Sequence, residues 1–319
     1  MAGFRRQFRI LSPTSASRAV NLNTEQVPPL NISGLLKKYE IRPSKGLGQN
    51  FLVDENILQK IVKLAGVSTK DIILEIGPGL GNLTRYLGLA ARSVIAVELD
   101  QRLLPALRET LAPLNNVEIV IGDILEINPA NLLFNSATGI MIGGRSGKST
   151  ISQAYKVVAN IPYYITSSLI RHLLEAEIQP SMIVLTVQKE VAQRICEQPP
   201  HMSILALSVQ VYGKANIVSR IPAGAFYPTP KVDSSVVKID LYSKPLIPTT
   251  LIPEFFRLVK AGFGQKRKTL RNSLSAGMEW PKEEIDLLLD DAGINPQRRA
   301  QTLSLEEWGV LTIQAAQRK

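Results

Sequence analysis

The sequence predicts an α/β fold built around a mostly parallel sheet, and three observations lead there. Ile72–Thr84 opens as a short β-branched strand, breaks into Gly77, Gly79 and Gly81, and continues into Leu83, Thr84, Tyr86 and Leu87, which begin a helix. A second buried run, Ser93–Val97, ends at Glu98, about 20 residues beyond the glycines. A third, Val117–Ile121, ends at Gly122-Asp123. Strands that finish in glycines or acids gather a ligand at the carboxyl edge of such a sheet, where bare main chain and helix N–H groups face it.

The glycine spacing is Gly-x-Gly-x-Gly with Asn82 in the sixth position, so the dinucleotide fingerprint Gly-x-Gly-x-x-Gly is imperfect. Glu98 still favours a nucleoside, since one carboxylate can accept hydrogen bonds from both ribose hydroxyls.

From the start, residues 1–31 carry Arg5, Arg6, Arg9 and Arg18 with Glu25 as the sole acid, and read as a disordered basic tail. An organellar transit peptide has the same composition. Leu35–Tyr39 forms a helical turn before Pro43, followed by the glycine-bearing loop Lys45–Leu52. Asp54 caps the next helix, whose apolar face is Ile57, Ile61, Val62 and Ala65 and which Gly66 ends. After the third strand, Ile140–Thr150 finishes like a phosphate-binding loop, but Ile142 stands where that pattern needs glycine. It reads as a surface insertion.

Val157–Ala159 is a further buried strand running into Asn160-Ile161-Pro162-Tyr163-Tyr164, with Thr166 as cap of the helix carrying Leu169, Ile170, Leu173 and Leu174. This motif carries chemistry. An exocyclic adenine amine is a poor nucleophile because its lone pair is delocalised into the ring. The amide oxygen of Asn160, with main-chain carbonyls beside it, can accept the N6 hydrogens and favour the pyramidal, nucleophilic form. Pro162 sets the turn, and Tyr163 offers a stacking face to an extruded base.

Ile183–Val187 reads as a strand, Lys189–Ile195 as a short helix, Ile204–Tyr212 as another strand and Val236–Leu241 as the last. Between them Phe226–Ser234 is a proline-rich loop whose Phe226 is a candidate second stacking face. Pro245–Pro253 punctuates the chain, and helices follow. Phe255, Phe256, Val259 and Phe263 make an apolar face that abuts the basic run Lys266-Arg267-Lys268 and Arg271, a candidate phosphate-contacting helix surface. Pro281 with Glu283 and Glu284 opens one helix, and Ser304 with Glu307 has capping-box spacing for the last.

The 319 residues are 45% hydrophobic, enough for a core and two domains. A net charge of +10 and a pI near 9.7 favour a polyanionic partner. With Cys196 as the one cysteine, and His172 and His201 the two histidines, an internal disulfide is excluded and no metal site is expected. No apolar run approaches a membrane span, so no membrane partner is expected either.

Assembled, these segments resemble the small-subunit ribosomal RNA adenine dimethyltransferases, class I S-adenosylmethionine-dependent enzymes. The resemblance covers about residues 35 to 310. It rests on Gly-Gln-Asn-Phe-Leu at 48–52, Glu-Ile-Gly-Pro-Gly-Leu-Gly at 75–81, Glu98, Gly122-Asp123 and Asn-Ile-Pro-Tyr at 160–163. Gln-Lys-Glu-Val at 188–191, Phe-x-Pro-x-Pro-x-Val-Asp-Ser at 226–234 and Phe-Gly-Gln-Lys-Arg-Lys-Thr-Leu at 263–270 complete it. The resemblance implies a Rossmann-like, seven-stranded methyltransferase domain over 32–243 and a helical rRNA-binding domain over 244–319. It implies S-adenosyl-L-methionine as cofactor, held by Asn50, Leu52, Gly77, Gly79, Glu98, Asp123 and Asn160. Asn160, Tyr163 and Phe226 would handle the target base, Tyr163 and Phe226 as a sandwich, and Lys266, Arg267, Lys268 and Arg271 would contact RNA. The family dimethylates two adjacent adenosines in a hairpin loop near the 3′ end of small-subunit rRNA and acts in subunit maturation. The expected partner is therefore the immature small ribosomal subunit, met by a cytoplasmic monomer, or an organellar one if the tail is a transit peptide. Competing readings are the sister enzymes that methylate large-subunit rRNA, a DNA adenine methyltransferase, a non-catalytic assembly factor and a P-loop nucleotidase. The insertion at Ile140–Thr150 and the tail exceed what the family needs.

Overall fold

A computed structural model of the chain describes residues 9–11, 27–135 and 155–318; the insertion at Ile140–Thr150 therefore lies outside the described residues. Its strands are β1 (Arg9–Leu11), β2 (Phe51–Leu52), β3 (Ile72–Ile76), β4 (Ser93–Glu98), β5 (Val117–Ile121), β6 (Tyr155–Asn160), β7 (Met182–Gln188), β8 (Gly213–Ile221), β9 (Phe226–Tyr227) and β10 (Ser234–Leu241). Eight of them form one sheet in the order β1-β5-β4-β3-β6-β7-β10-β8, and β2 pairs antiparallel with β9. The centre of the sheet is parallel. Ile72 to Ile76 of β3 face Ser93 to Val97 of β4 on one side, while Ile72 to Leu74 face Tyr155 to Val157 of β6 on the other. Every residue of β3, β4 and β5 is buried, as expected of parallel strands covered on both faces. Chain order reverses between β3 and β6, so the carboxyl ends of those two strands flank a topological switch point, where α/β sheets hold ligands.

The helices around these strands are α1 (Ile32–Lys38), α2 (Glu55–Leu64), α3 (Asn82–Ala90), α4 (Leu104–Leu111), α5 (Pro129–Asn135), α6 (Thr166–Leu174) and α7 (Lys189–Ile195). Asp54 caps α2 by accepting from the Ile57 N–H at 3.1 Å. Leu58, Ile61 and Val62 of α2 join Leu83, Tyr86 and Leu87 of α3 and Val94 and Ala96 of β4 in a common core. A smaller cluster holds Ile32 and Leu36 of α1 against Phe51, Leu80 and Leu103.

The remaining helices are α8 (Ile204–Gln210), α9 (Ile252–Phe263), α10 (Leu270–Met278), α11 (Lys282–Asp291) and α12 (Leu305–Gln317). The described residues divide into two compact units, one of those up to Lys189 with Ile217–Ile239, the other of Glu190–Asn216 with those from Asp240 onward. In the second, Phe255 and Trp308 are fully buried, and the Trp308 ring stacks on Phe263 at a centroid distance of 6.0 Å. A Cβ at Gly277 would lie 2.6 Å from the Ala261 Cα, so glycine permits the close crossing of α9 and α10. Ser304 and Glu307 make the capping box of α12 in both directions.

Four local expectations are corrected. Ile204–Tyr212 is not a strand: Ser203 caps the Ala206 N–H at 3.1 Å and α8 follows, burying Ala206, Leu207 and Val209. A short apolar run fits either period, and the cap decides. The neighbouring strand is β8. Thr166 does not cap α6, because a 3-10 turn over Tyr163–Ile165 runs straight into the helix and the Thr166 hydroxyl donates back to the Tyr163 carbonyl at 2.9 Å. Lys266-Arg267-Lys268 lies in the turn between α9 and α10, not on a helix. Finally, β1 falls inside the stretch read as a disordered tail and pairs antiparallel with Ile119 to Ile121 of β5.

Candidate functional site

At the end of β3 the Gly77 N–H donates to the Val97 carbonyl at 2.9 Å, and the chain then turns through Gly77 and Gly79 at φ 69° and 62°. These are left-handed conformations that favour glycine. A Cβ at Gly79 would also stand 3.0 Å from the Phe51 ring. Here the main chain forms the wall of a cleft that opens to solvent.

Glu98, the last residue of β4, is 5% exposed. Its two oxygens accept from the N–H groups of Gly79 at 3.0 Å and Asp100 at 2.8 Å. Burial pushes its carboxyl up to about 7, with the two amide donors working against that shift. Glu75 on β3 is fully buried at the cleft wall, and its Oε2 has no hydrogen-bond partner. Burial, and then the charge of Glu98, push Glu75 up to about 8. A protonated carboxyl thus sits beside one that is near its midpoint at neutral pH.

Across the switch point, Asn160 ends β6 and donates from Nδ2 to the Asn50 carbonyl at 3.2 Å, which leaves Oδ1 available as an acceptor. Asn50 itself donates from Nδ2 to the Gly48 carbonyl at 3.1 Å. Tyr163 is half-buried, and its hydroxyl meets that of Ser234 at 2.6 Å. Asp123 Oδ1 accepts from the Leu125 N–H at 2.9 Å. The structure therefore brings Asn50, Leu52, Gly77, Gly79, Glu98, Asp123, Asn160 and Tyr163 to one cleft.

Two expected site residues are placed otherwise. Phe226 is 3% exposed, lies in the core cluster with Leu52, its partner across β2 and β9, and does not line the cleft. Its neighbour Tyr227 is the exposed aromatic of that strand. Arg271 is held by Asp286 through two bonds of 2.6 Å, whereas Lys266, Arg267 and Lys268 are exposed. Sequence reading also missed Leu99, an exposed leucine lining the cleft between two acids, along with Ile124, Gln49 and Glu75. An apolar residue directly after a strand-end acid was the available signal for Leu99 and Ile124.

The donor set suits S-adenosylmethionine. Glu98, held by two main-chain donors, lines the cleft with acceptor capacity to spare for hydroxyl donors. Asp123 and the apolar Leu99 and Ile124 suit an adenine ring, and the unpartnered Oε2 of Glu75 marks the cleft wall as polar. Among the described residues, no group of three or more His, Cys, Asp or Glu side chains gathers to hold a metal ion, and no helix is long and apolar enough to cross a membrane.

Comparison with known proteins agrees with this geometry. Residues 42–316 match the family model described as ribosomal RNA adenine dimethylase. A ribosomal RNA small subunit methyltransferase A from Dehalococcoides mccartyi is 43% identical over 279 residues, covering 88% of this chain and 90% of the relative. One of the same name from Alkaliphilus metalliredigens is 37% identical over 92% of this chain and 99% of its own. Among solved structures, a dimethyladenosine transferase from Plasmodium falciparum superposes with a TM-score of 0.68 at 25% identity, covering 84% of this chain and 98% of that one. The 23S rRNA methyltransferase ErmE gives 0.65 at 26%, covering 83% and 99%. The chain belongs to the ribosomal RNA adenine dimethylase family and is an S-adenosylmethionine-dependent rRNA adenine methyltransferase.

Proposed function

We propose that this protein dimethylates N6 of two adjacent adenosines in the 3′-terminal hairpin loop of small-subunit rRNA, within an immature small ribosomal subunit. The observation that carries the reading is the Asn160 amide, fastened by Nδ2 to the Asn50 carbonyl in the lining of the glycine-walled cleft. Identity of 37–43% to relatives named for the small subunit favours that substrate over the large one.

Bound S-adenosylmethionine supplies an activated methyl group on a sulfonium, so the chain contributes positioning and electrostatics. Gly77 and Gly79 admit the cofactor to the main chain, Glu98 holds the ribose, Asp123 the adenine amine, and Asn50 and Leu52 close the near side. Asn160 Oδ1 accepts from the target N6 and directs its lone pair outward. Tyr163 stacks on the extruded base. A two-sided sandwich requires Phe226 to leave the core, so we adopt stacking on Tyr163 alone.

The second unit binds rRNA through exposed Lys266, Arg267 and Lys268, the unit that holds the cleft is catalytic, and the protein acts as a cytoplasmic monomer. The test is incubation with labelled S-adenosylmethionine and small-subunit particles lacking the modification, with large-subunit particles in parallel. Dimethyladenosine in the small-subunit RNA alone is the expected outcome. Label in the large subunit would transfer the assignment to the ErmE-like reaction, and particle binding without label would leave an assembly factor.

A further inference from the structure

Gln49 has no part in the reaction as described, yet it ties together two sides of the cleft. Its Oε1 accepts from the Ser44 N–H at 2.7 Å, and its main-chain N–H donates to the Ser44 carbonyl at 3.1 Å, closing the loop 44–49 on itself. Its Nε2 reaches across to Asp100 Oδ2 at 2.8 Å. Asp100 is 6% exposed, and its main-chain N–H is one of the two donors on Glu98. The Arg102 guanidinium, bonded at 2.8 and 2.6 Å, holds the Asp100 carboxyl below the usual carboxylate range, so the acceptor that Gln49 meets is charged.

The other end of the loop touches the chemistry. The Asn50 carbonyl receives the Asn160 amide, and Gly48, at φ 59°, leaves room such that a Cβ there would lie 3.6 Å from Pro162 and 3.5 Å from the Tyr164 ring. Leu47, Gly48, Gln49 and Asn50 all line the cleft. A continuous path thus runs from Glu98 through Asp100 and Gln49 to Asn50 and Asn160.

We propose that the Gln49–Asp100 hydrogen bond is the fastening that seats the 44–50 loop against the cofactor cleft, making Gln49 a positioning residue for cofactor retention. Glutamine suits the position because it must accept from Ser44 and donate to Asp100 at once. Glutamate keeps the first bond but sets carboxylate against carboxylate, and lysine keeps the second but loses the first. The inference rests on the cleft's being the S-adenosylmethionine site.

The test is calorimetric binding of S-adenosylmethionine to the full chain, wild type against Gln49→Glu, Asp100→Asn and the double variant. Gln49→Glu should weaken binding at least about tenfold, the scale of a lost bond to a charged group. The double variant should recover a clear part of it, since an amide at position 100 can donate to a carboxylate at position 49, although it gives up the Arg102 Nη2 bond that Oδ2 accepts. Steady-state rates should show the cofactor KM rising far more than kcat falls, with the RNA KM unmoved. Trypsin should cut after exposed Lys45 faster in Gln49→Glu, with added cofactor slowing it. Wild-type affinity in Gln49→Glu overturns the proposal, and so does a loss that the double variant does not recover. If the wild type itself fails to bind S-adenosylmethionine, the reading of the cleft falls first and the fastening with it.

Discussion

The side-chain amide of Asn160 and the main-chain carbonyl of Asn50 meet at 3.2 Å, and that bond decides which way the Asn160 amide points. With Nδ2 engaged, Oδ1 is left as an acceptor, the atom that the proposed reaction assigns to the substrate amine. Asn160→Ala should lower the single-turnover methylation rate by about 10²–10³-fold, the scale of removing one preorganised polar group. RNA affinity measured by filter binding should stay within about threefold. A near-normal rate in that variant would sink the role given to Asn160.

The proposed ribose contact of Glu98 predicts a cofactor affinity that depends on pH. Ribose hydroxyls donate to a carboxylate better than to a carboxylic acid, and burial holds this group near 7. Affinity for S-adenosylmethionine should therefore tighten about tenfold from pH 6 to 8, as a group titrating at the midpoint of that interval loses its proton. Glu98→Gln should bind weakly and with a flat pH profile. A wild-type profile equally flat would show that the acid does not meet the ribose.

Glu75 makes stability pH-dependent in the opposite sense. Its carboxyl is raised from 4.5 to about 8, so the folded protein binds a proton that the unfolded chain releases. That contribution is complete below pH 4.5 and is lost as pH rises through 8. Glu75→Gln, which keeps the shape without the charge, should raise Tm at pH 8.5 by roughly ten degrees, on the order of 4 kcal/mol, and change it far less at pH 5. Calorimetric scans at the two pH values check this, and equal shifts at both would refute it.

Lys266, Arg267 and Lys268 are exposed, whereas Arg271 is committed to Asp286. Replacing the three with glutamine should lower the slope of log K against log salt for RNA binding by about 2, at roughly 0.7 per single-strand phosphate contact. Arg271→Gln should instead cost thermal stability and leave the slope nearly unchanged. Salt titrations of the two variants separate the exposed basic residues from the paired arginine, and an unaltered slope in the triple variant would remove these residues from the RNA interface.

What the sequence disclosed was local in origin. The strand at Ile72–Ile76, its glycine turn, the Asp54 cap and the Ser304–Glu307 box all depend on residues a few places apart, and all stand as read. The cleft follows from them, because parallel strands deliver their carboxyl ends to one edge. What escaped depends on distant partners. Phe226 is buried because β9 pairs with β2, Arg271 is neutralised by Asp286 from the next helix, and Gln49 finds Asp100 51 residues away. No window of sequence contains both members of those pairs. The apolar run at 204–212 failed for another reason: its pattern suits either period, and one serine hydroxyl tipped it to helix.

The pairing of Arg9–Leu11 with β5 bears on how molecules of this protein behave toward one another. Without that three-residue segment, Val117–Ile121 would be the sheet's outermost strand, presenting a row of unpaired amides and carbonyls flanked by buried aliphatic side chains. Such an edge is a template on which a second molecule can add a strand. The segment covers that edge from Ile119 to Ile121, so the outward main-chain groups there find their partners within the chain itself.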